Sequence, residues 1–110
     1  MNRNILVKAE RVAELLSCIA HPLRLLMICL LLKREMFVNE FIKALGTTKG
    51  NISQHLRVLS AKGLIRGRRA GNRIFYSIKD PDLASLIARV KELYCPDLAE
   101  KGRTYHDKQN

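Results

Sequence analysis

The feature that most constrains the fold of this chain is a polar-faced helical segment followed at once by an arginine-rich hairpin, within residues 46–78. Gly46 ends the preceding helix, and Thr48 is the predicted N-cap of a helix that runs to about Lys62. Its apolar residues recur at helical spacing, which predicts one buried face and one exposed face. Gly63 suits the position that follows a helix end, so a strand can begin directly after it.

Two strands and four further helices complete the predicted order. The strands cover residues 64–69 and 73–78, and Ala70-Gly71-Asn72 forms the turn between them. Helical periodicity predicts the other helices over residues 7–20, 23–33, 37–45 and 81–94. The order is therefore four helices, a hairpin and a last helix. This predicts a mainly α fold with a small β-hairpin, the winged helix-turn-helix.

The length and the charge of the chain limit its organisation and its partners. Its 110 residues predict one domain over residues 1–96, small enough to gain from pairing with a second copy, and a polar, mobile tail over residues 97–110. Lys and Arg number 20 against 10 Asp and Glu, which gives a net charge of +10. Such an excess favours nucleic acid or an anionic membrane surface as a partner. The basic hairpin beside a polar helix favours nucleic acid.

Neither end of the sequence nor its interior suggests a membrane protein. The first ten residues lack the apolar segment and cleavage site of a secretory signal. The longest apolar run, residues 25–32, is far shorter than the roughly 20 residues that span a bilayer. We therefore expect a cytoplasmic protein with no membrane partner. Its three cysteines, an odd number, do not suggest a structural disulfide framework.

The helix that begins after Thr48 and the hairpin that follows carry the predicted DNA-binding residues. In a helix-turn-helix, the first residues of the second helix reach base edges in the major groove. Asn51 and Gln54 carry the paired donor and acceptor that match adenine. The hairpin arginines are expected to contact phosphates or a narrow minor groove. The predicted set is Thr48, Lys49, Asn51, Ser53, Gln54, His55, Arg57, Arg66, Arg68, Arg69, Asn72 and Arg73.

Two motifs give the chain a resemblance to the ArsR/SmtB family of bacterial repressors over residues 10–96. The first is His21-Pro22-Leu23-Arg24-Leu25, which resembles the helix-opening signature of the family. The second is residues 53–59 with residues 62–65, which resembles its recognition-helix signature. The resemblance implies a homodimer, joined through the first and last helices, that occludes double-stranded operator DNA until a chemical signal releases it.

The metal-binding positions of that family do not carry ligands in this sequence. A thiolate site on the third helix needs a Cys-x-Cys pair, and residues 37–41 contain no cysteine. A zinc site on the last helix needs histidine, and residues 80–94 contain none. His106 and Asp107 form only a weak partial set. We therefore predict no metal and no cofactor, while a metal-sensing repressor with a different site stays an alternative.

Two cysteines remain as the candidate sensor. Residues 24–29 and 93–96 resemble segments of the reactive-sulfur-sensing branch of the family, the BigR, SqrR and YgaV type. In that branch the two corresponding cysteines of one subunit become linked by a disulfide or polysulfide, and DNA affinity falls. The resemblance implies Cys29 and Cys95 as the redox-sensing pair and a small sulfur oxidant or persulfide as the inducer. Lys91, one turn before Cys95, is expected to lower the pKa of that thiol.

The residues taken alone leave other readings of the cysteines open. A cysteine in an apolar helix is commonly a small packing residue, so Cys29 also fits a DNA-binding module with no sensor, and Cys18 is expected to pack. An enzyme is not expected, because the sequence has no Cys-x-x-Cys motif and no evident nucleophile and base pair.

Overall fold

A computed structural model describes residues 2–96 and confirms the predicted order of elements. The helices are α1 (Arg3–Ile19), α2 (Pro22–Leu31), α3 (Val38–Leu45), α4 (Lys49–Ala61) and α5 (Pro81–Tyr94). The strands are β1 (Ile65–Ala70) and β2 (Arg73–Ile78), which pair antiparallel as a two-stranded sheet. This is a winged helix-turn-helix. The predicted tail, residues 97–110, lies outside the described residues.

The predicted start of α1 and the predicted hairpin turn need correction, and α2 ends at Leu31 and not at residue 33. Helix α1 begins at Arg3 and not near residue 7, because the side chain of Asn2 accepts the backbone N–H of Asn4 at 2.8 Å and caps the helix. The hairpin turn is shorter than predicted, since Ala70 pairs with Arg73 and leaves a two-residue turn. Gly71 in that turn has φ 66°, a left-handed conformation that favours glycine.

The turn between α3 and α4 is fixed by a glycine and a threonine, as predicted. Gly46 has φ 66°, and its N–H donates to the carbonyl of Ile42 at 2.8 Å to end α3. The Thr48 hydroxyl accepts the backbone N–H of Asn51 at 3.1 Å and caps α4. These local bonds set the direction in which α4 leaves α3.

The inner face of α4 packs on the hydrophobic core. Ile52, Leu56 and Leu59 of α4 are buried, as predicted, together with Phe41 of α3 and Ile28 of α2. Full burial of such a side chain stabilises the fold by roughly 1.5–3 kcal/mol. The exposed face of α4 is therefore carried on a firmly packed helix.

The outer faces of α1 and α5 stay apolar and exposed. Val12 and Leu16 of α1 are 54% and 46% exposed, and Leu93 of α5 is 59% exposed. Ile19, at the end of α1, is buried in the core. Within residues 2–96, no one helix has the length and apolar character to cross a membrane; α1 and α2 satisfy those criteria only together, across a bend of 91°.

Candidate functional site

Helix α4 presents four of its predicted DNA-binding side chains on one exposed face. Lys49, Asn51, Gln54 and Arg57 are exposed, and Ser53 beside them is half-buried. The Asn51 amide donates to the Thr47 hydroxyl at 2.9 Å, so that residue is partly engaged within the turn. Within residues 2–96, the Gln54 amide makes no hydrogen bond, which leaves both its donor and its acceptor available for a base edge.

His55 differs from its prediction, and its expected exposure on this face is wrong. It is only 6% exposed, because it lies three residues after the buried Ile52 and therefore on the inner face of α4. Its Nδ1 accepts a hydrogen bond from Nε of Arg24 at 3.1 Å. Arg24 also donates through Nη1 to the backbone carbonyl of Cys18 at 2.8 Å. His55 thus connects α4 to α2 and, through Arg24, to α1, and its side chain does not lie on the exposed face of α4.

The surroundings of His55 favour the neutral form of its ring. Burial lowers its pKa, and the nearby His21 ring, 4.5 Å away between centroids, and the Arg24 guanidinium act in the same direction. Only the neutral ring, with an unprotonated Nδ1, can accept the Arg24 hydrogen bond. A histidine with a lowered pKa stabilises the fold above its ordinary pKa, and this contribution is lost as pH falls through the lowered value.

We expect the free energy of unfolding to decrease in acid partly through His55. Between about pH 7.5 and about pH 5, wild type should lose about 1 kcal/mol more than His55→Gln, which keeps an acceptor for Arg24 but cannot be protonated. Urea denaturation of both proteins across this range measures the difference. Parallel pH profiles for the two proteins would contradict a titrating His55–Arg24 bond.

The hairpin arginines are not equivalent. Arg68 forms a two-point ion pair with Glu35, with Nη2 at 2.7 Å from Oε1 and Nε at 3.2 Å from Oε2. This pairing lowers the pKa of the Glu35 carboxyl. Arg66 and Arg69 are exposed and form no ion pair within residues 2–96. The two unpaired arginines are therefore free to meet phosphates, whereas Arg68 first has to leave Glu35.

Aromatic contacts and a backbone bridge fix the hairpin against the helices. The Arg73 guanidinium lies 4.5 Å from the Phe37 ring centroid, and Phe37 meets Phe75 edge-on at 5.3 Å. Met36 and Tyr76 exchange two backbone hydrogen bonds of 3.1 and 2.8 Å. The orientation of the hairpin relative to α3, and through α3 to α4, is thereby set.

A cleft lined by the start of α3, the start of α4 and the hairpin contains predicted residues from two elements. Its volume is about 450 Å³, and its lining includes Lys49 of α4 and Asn72 and Arg73 of the hairpin. The surface around it combines a helix N-terminus with exposed cations, both of which favour phosphate. The arrangement can receive an anionic backbone between two basic elements.

The three cysteines are free thiols in different surroundings. Cys18 is 5% exposed and packs in the core. Cys29 on α2 and Cys95 just after α5 are both half-buried, and α5 packs against α2. Burial raises the pKa of the Cys29 thiol; the charge of Lys91 opposes that rise, and Cys95 adds to it. The fold thus brings the end of α5 within electrostatic reach of Cys29.

Lys91 lies one turn before Cys95, as the sequence indicates, but its burial is not evident from the sequence. Although charged, it is only 7% exposed, and it shares the buried stripe of α5 with Leu83 and Ile87. Cys95 follows at the next step of four residues, and its N–H donates to the Lys91 carbonyl at 2.8 Å. The ammonium group acts on Cys29, a residue of another helix that the sequence alone does not place nearby. The spacing of four residues from Leu83 through Ile87 to Lys91 is the sequence signal from which the burial of Lys91 could have been predicted.

Metal ligands do not cluster in the part of the chain that the structure describes. No group of three or more His, Cys, Asp or Glu side chains there is placed to hold a metal ion. His106 and Asp107, the weak partial set in the sequence, lie outside residues 2–96.

Known proteins similar to this chain are bacterial regulators. Residues 21–66 match the family described as bacterial regulatory protein, arsR family. The transcriptional regulator YgaV of Escherichia coli is 38% identical over 89 residues, which is 80% of this chain and 90% of YgaV. The crystal structure of the transcriptional repressor BigR from Xylella fastidiosa has a TM-score of 0.76 at 33% identity, covering 86% of this chain and 98% of BigR. Reduced HlyU from Vibrio cholerae gives 0.81 at 28% identity, covering 86% and 99%.

Proposed function

Because the chain belongs to the ArsR family of bacterial regulatory proteins, we propose that it is a dimeric repressor that releases operator DNA when Cys29 and Cys95 are cross-linked. The inducer is a small sulfur oxidant or a persulfide. The observation that carries this proposal is the return of α5 to α2, which puts Cys95 close enough to influence the Cys29 thiol.

The DNA-binding half of the proposal rests on the exposed face of α4 and on the hairpin. Gln54 and Asn51 read base edges in the major groove, and Lys49, Arg57 and the other exposed polar residues of α4 position the helix. The predicted hairpin contacts go to phosphates of the neighbouring backbone. His55 leaves the predicted contact set, because it is buried against Arg24.

The paired Arg68 and the unpaired Arg69 should contribute differently to the salt dependence of DNA binding. Arg69→Ala should reduce the slope of log affinity against log salt by about 0.9, the value of one phosphate contact. Arg68→Ala removes a cation that Glu35 already neutralises, so its slope should change less. Fluorescence anisotropy with operator DNA at several salt concentrations measures both slopes. Equal losses for the two variants would show that Arg68 leaves Glu35 to bind phosphate.

Dimerisation follows from the uncovered apolar faces of α1 and α5. Val12, Leu16 and Leu93 are large apolar residues about half exposed, an arrangement that favours a protein contact. In a twofold dimer the same patch serves both subunits, and the two α4 helices, related by the twofold axis, run in opposite directions along the duplex, as the half-sites of a palindrome do. Adjacent half-sites then lie about 34–36 Å apart, which is one turn of DNA.

The cross-link can form from a persulfide alone, without another oxidant. The Cys95 thiolate attacks the terminal sulfur of RSSH, RSH leaves, and Cys95 carries a persulfide. The Cys29 thiolate then attacks Sγ of Cys95, the inner sulfur of this persulfide; the Sγ–SH bond breaks, a Cys29–Cys95 disulfide forms, and hydrosulfide leaves as H₂S after protonation. A second RSSH, consumed before closure, leaves one additional sulfur in the bridge and releases a second RSH. We assign the first attack to Cys95, because burial raises the pKa of Cys29.

Release from DNA follows if the bridge shifts α5 against α2 and so changes the packing of the dimer. A rotation between subunits alters the separation of the two α4 helices, and both cannot then dock at once. A coupling of about 1–3 kcal/mol corresponds to a 5–150-fold loss of affinity. Such a loss is sufficient for derepression.

Mass spectrometry after persulfide treatment tests the proposal directly. We expect a cross-linked peptide that contains Cys29 and Cys95, with a mass that equals a disulfide or exceeds it by whole sulfur atoms. Matched samples give operator affinity before treatment, after treatment and after reduction. Loss of DNA binding without this peptide would overturn the sensing mechanism, and release by a metal salt in place of persulfide would favour a metal-sensing repressor.

A further inference from the structure

The α5 helix carries a buried lysine for which the proposed disulfide chemistry has not yet given a role. Lys91 is 7% exposed, whereas its neighbours Arg89 and Glu92 are exposed and pair with each other at 3.0 Å. Burying an ammonium group is unfavourable unless an anion or several acceptors compensate it. A position on the core-facing stripe of a helix is therefore an unusual one for a lysine.

Lys91 has no protein anion as its partner within residues 2–96. None of the four salt bridges there includes it, and no side-chain hydrogen bond from its Nζ is present. No side-chain nitrogen or oxygen in this part of the chain is both sealed from solvent and without a hydrogen bond. The Nζ of Lys91 therefore keeps some contact with solvent.

The nearest candidates for that anion are the sulfurs. Lys91 lies one helical turn before Cys95 on the same stripe, and α5 places this stripe against α2, which carries Cys29. Lys91 and Cys95 are the two titratable groups that act on the Cys29 thiol. Of the two, only Lys91 favours the ionised sulfur.

We infer that Lys91 is a third functional residue of the cysteine site, whose buried ammonium stabilises negative charge on the Cys29 sulfur during bridge closure and favours anionic sulfur species over neutral oxidants. This inference rests on the proposed cross-link between Cys29 and Cys95. Lys91 is a positioning residue in this scheme, because it acts through the Cys29 sulfur. Hydropersulfide and hydropolysulfide anions are the substrate class, and hydrogen peroxide is the neutral comparison.

Lys91→Met is the informative variant, because methionine keeps an apolar stem in the buried stripe and removes the charge. We expect bridge formation with inorganic hydropolysulfide to slow on the order of tenfold, since fewer Cys29 thiols are ionised. The slowing should be smaller with hydrogen peroxide, which the ammonium does not attract. Lys91→Arg should restore most of the rate, and Arg89→Gln, an exposed change on the same helix, should leave it unaltered.

A second readout separates this role from simple packing. In a Cys95→Ser background, the rate of Cys29 alkylation as a function of pH reports ionisation of that thiol alone. We expect Lys91→Met to move the profile to higher pH, and thermal denaturation will show whether the fold is retained. If Lys91→Met does not fold, Lys91→Gln is measured in its place.

The outcomes distinguish this inference from the function on which it rests. Unchanged alkylation profiles and unchanged bridging rates in folded neutral variants would overturn the role of Lys91 and leave the cross-link intact. Absence of any Cys29–Cys95 bridge in wild type would overturn the proposed function, and the role of Lys91 in closing the bridge would fall with it.

Discussion

Replacing Cys29 or Cys95 by serine is expected to leave operator binding by the reduced protein nearly unchanged and to abolish its release by persulfide. Neither side chain belongs to the exposed face of α4 or to the hairpin, since Cys29 lies on α2 and Cys95 follows α5, and both are half-buried. Wild type should lose about 5–150-fold in affinity on treatment, and each variant should lose none. Anisotropy titrations with and without glutathione persulfide measure the difference.

Cys18→Ala is the matched control for these two variants. Cys18 is also a free thiol, but it is 5% exposed in the core and has no assigned part in the bridge. The control should respond to persulfide as wild type does, even if its stability falls slightly through lost packing. A full response in Cys29→Ser or in Cys95→Ser would end the two-cysteine mechanism without affecting the DNA-binding assignment.

Alanine in place of Gln54 is expected to weaken specific operator binding more than other single changes on the exposed face of α4. A side-chain amide that makes two bonds to adenine contributes about 1–3 kcal/mol of discrimination, so the loss should be about 5–150-fold. Binding to unrelated DNA should change little, because that binding depends on phosphate contacts. Competition experiments with operator and non-operator duplexes separate the two effects.

Ser60→Ala provides the comparison for Gln54→Ala. Ser60 is exposed on the same helix but lies near its C-terminal end, away from the residues that enter the groove first. Operator affinity should stay within about twofold of wild type, as expected for a surface change outside the contact. An equal loss of operator and non-operator binding in Gln54→Ala would assign this residue to the phosphate backbone and not to a base.

Local signals in the sequence were sufficient to predict the helix-turn-helix and the hairpin. Thr48 caps α4, and Gly46 and Gly63 adopt positive φ where the helices end. These residues act through bonds to their immediate neighbours, so their roles depend little on the rest of the fold. The same is true of Asp80, whose side chain accepts the N–H of Asp82 at 2.9 Å and caps α5.

The contacts that the sequence does not reveal depend on partners far away in the chain. His55 has a polar side chain that suits an exposed face, yet Arg24, 31 residues earlier, supplies a hydrogen bond that permits its burial. Arg68 has its partner in Glu35, 33 residues away. Lys91 influences the Cys29 thiol only because α5 returns to α2. Helical periodicity describes one element at a time and carries no information about such contacts.

The two hydrogen bonds of Arg24 have a consequence for operator choice. This single side chain connects the carbonyl at the end of α1 with the inner face of α4, while α1 also carries apolar residues suited to a subunit interface. A change in the packing of that interface should therefore tilt α4, although the interface and the exposed face of α4 share no residue. Bacterial relatives that differ only in their dimer-facing positions would then prefer palindromes with different spacer lengths.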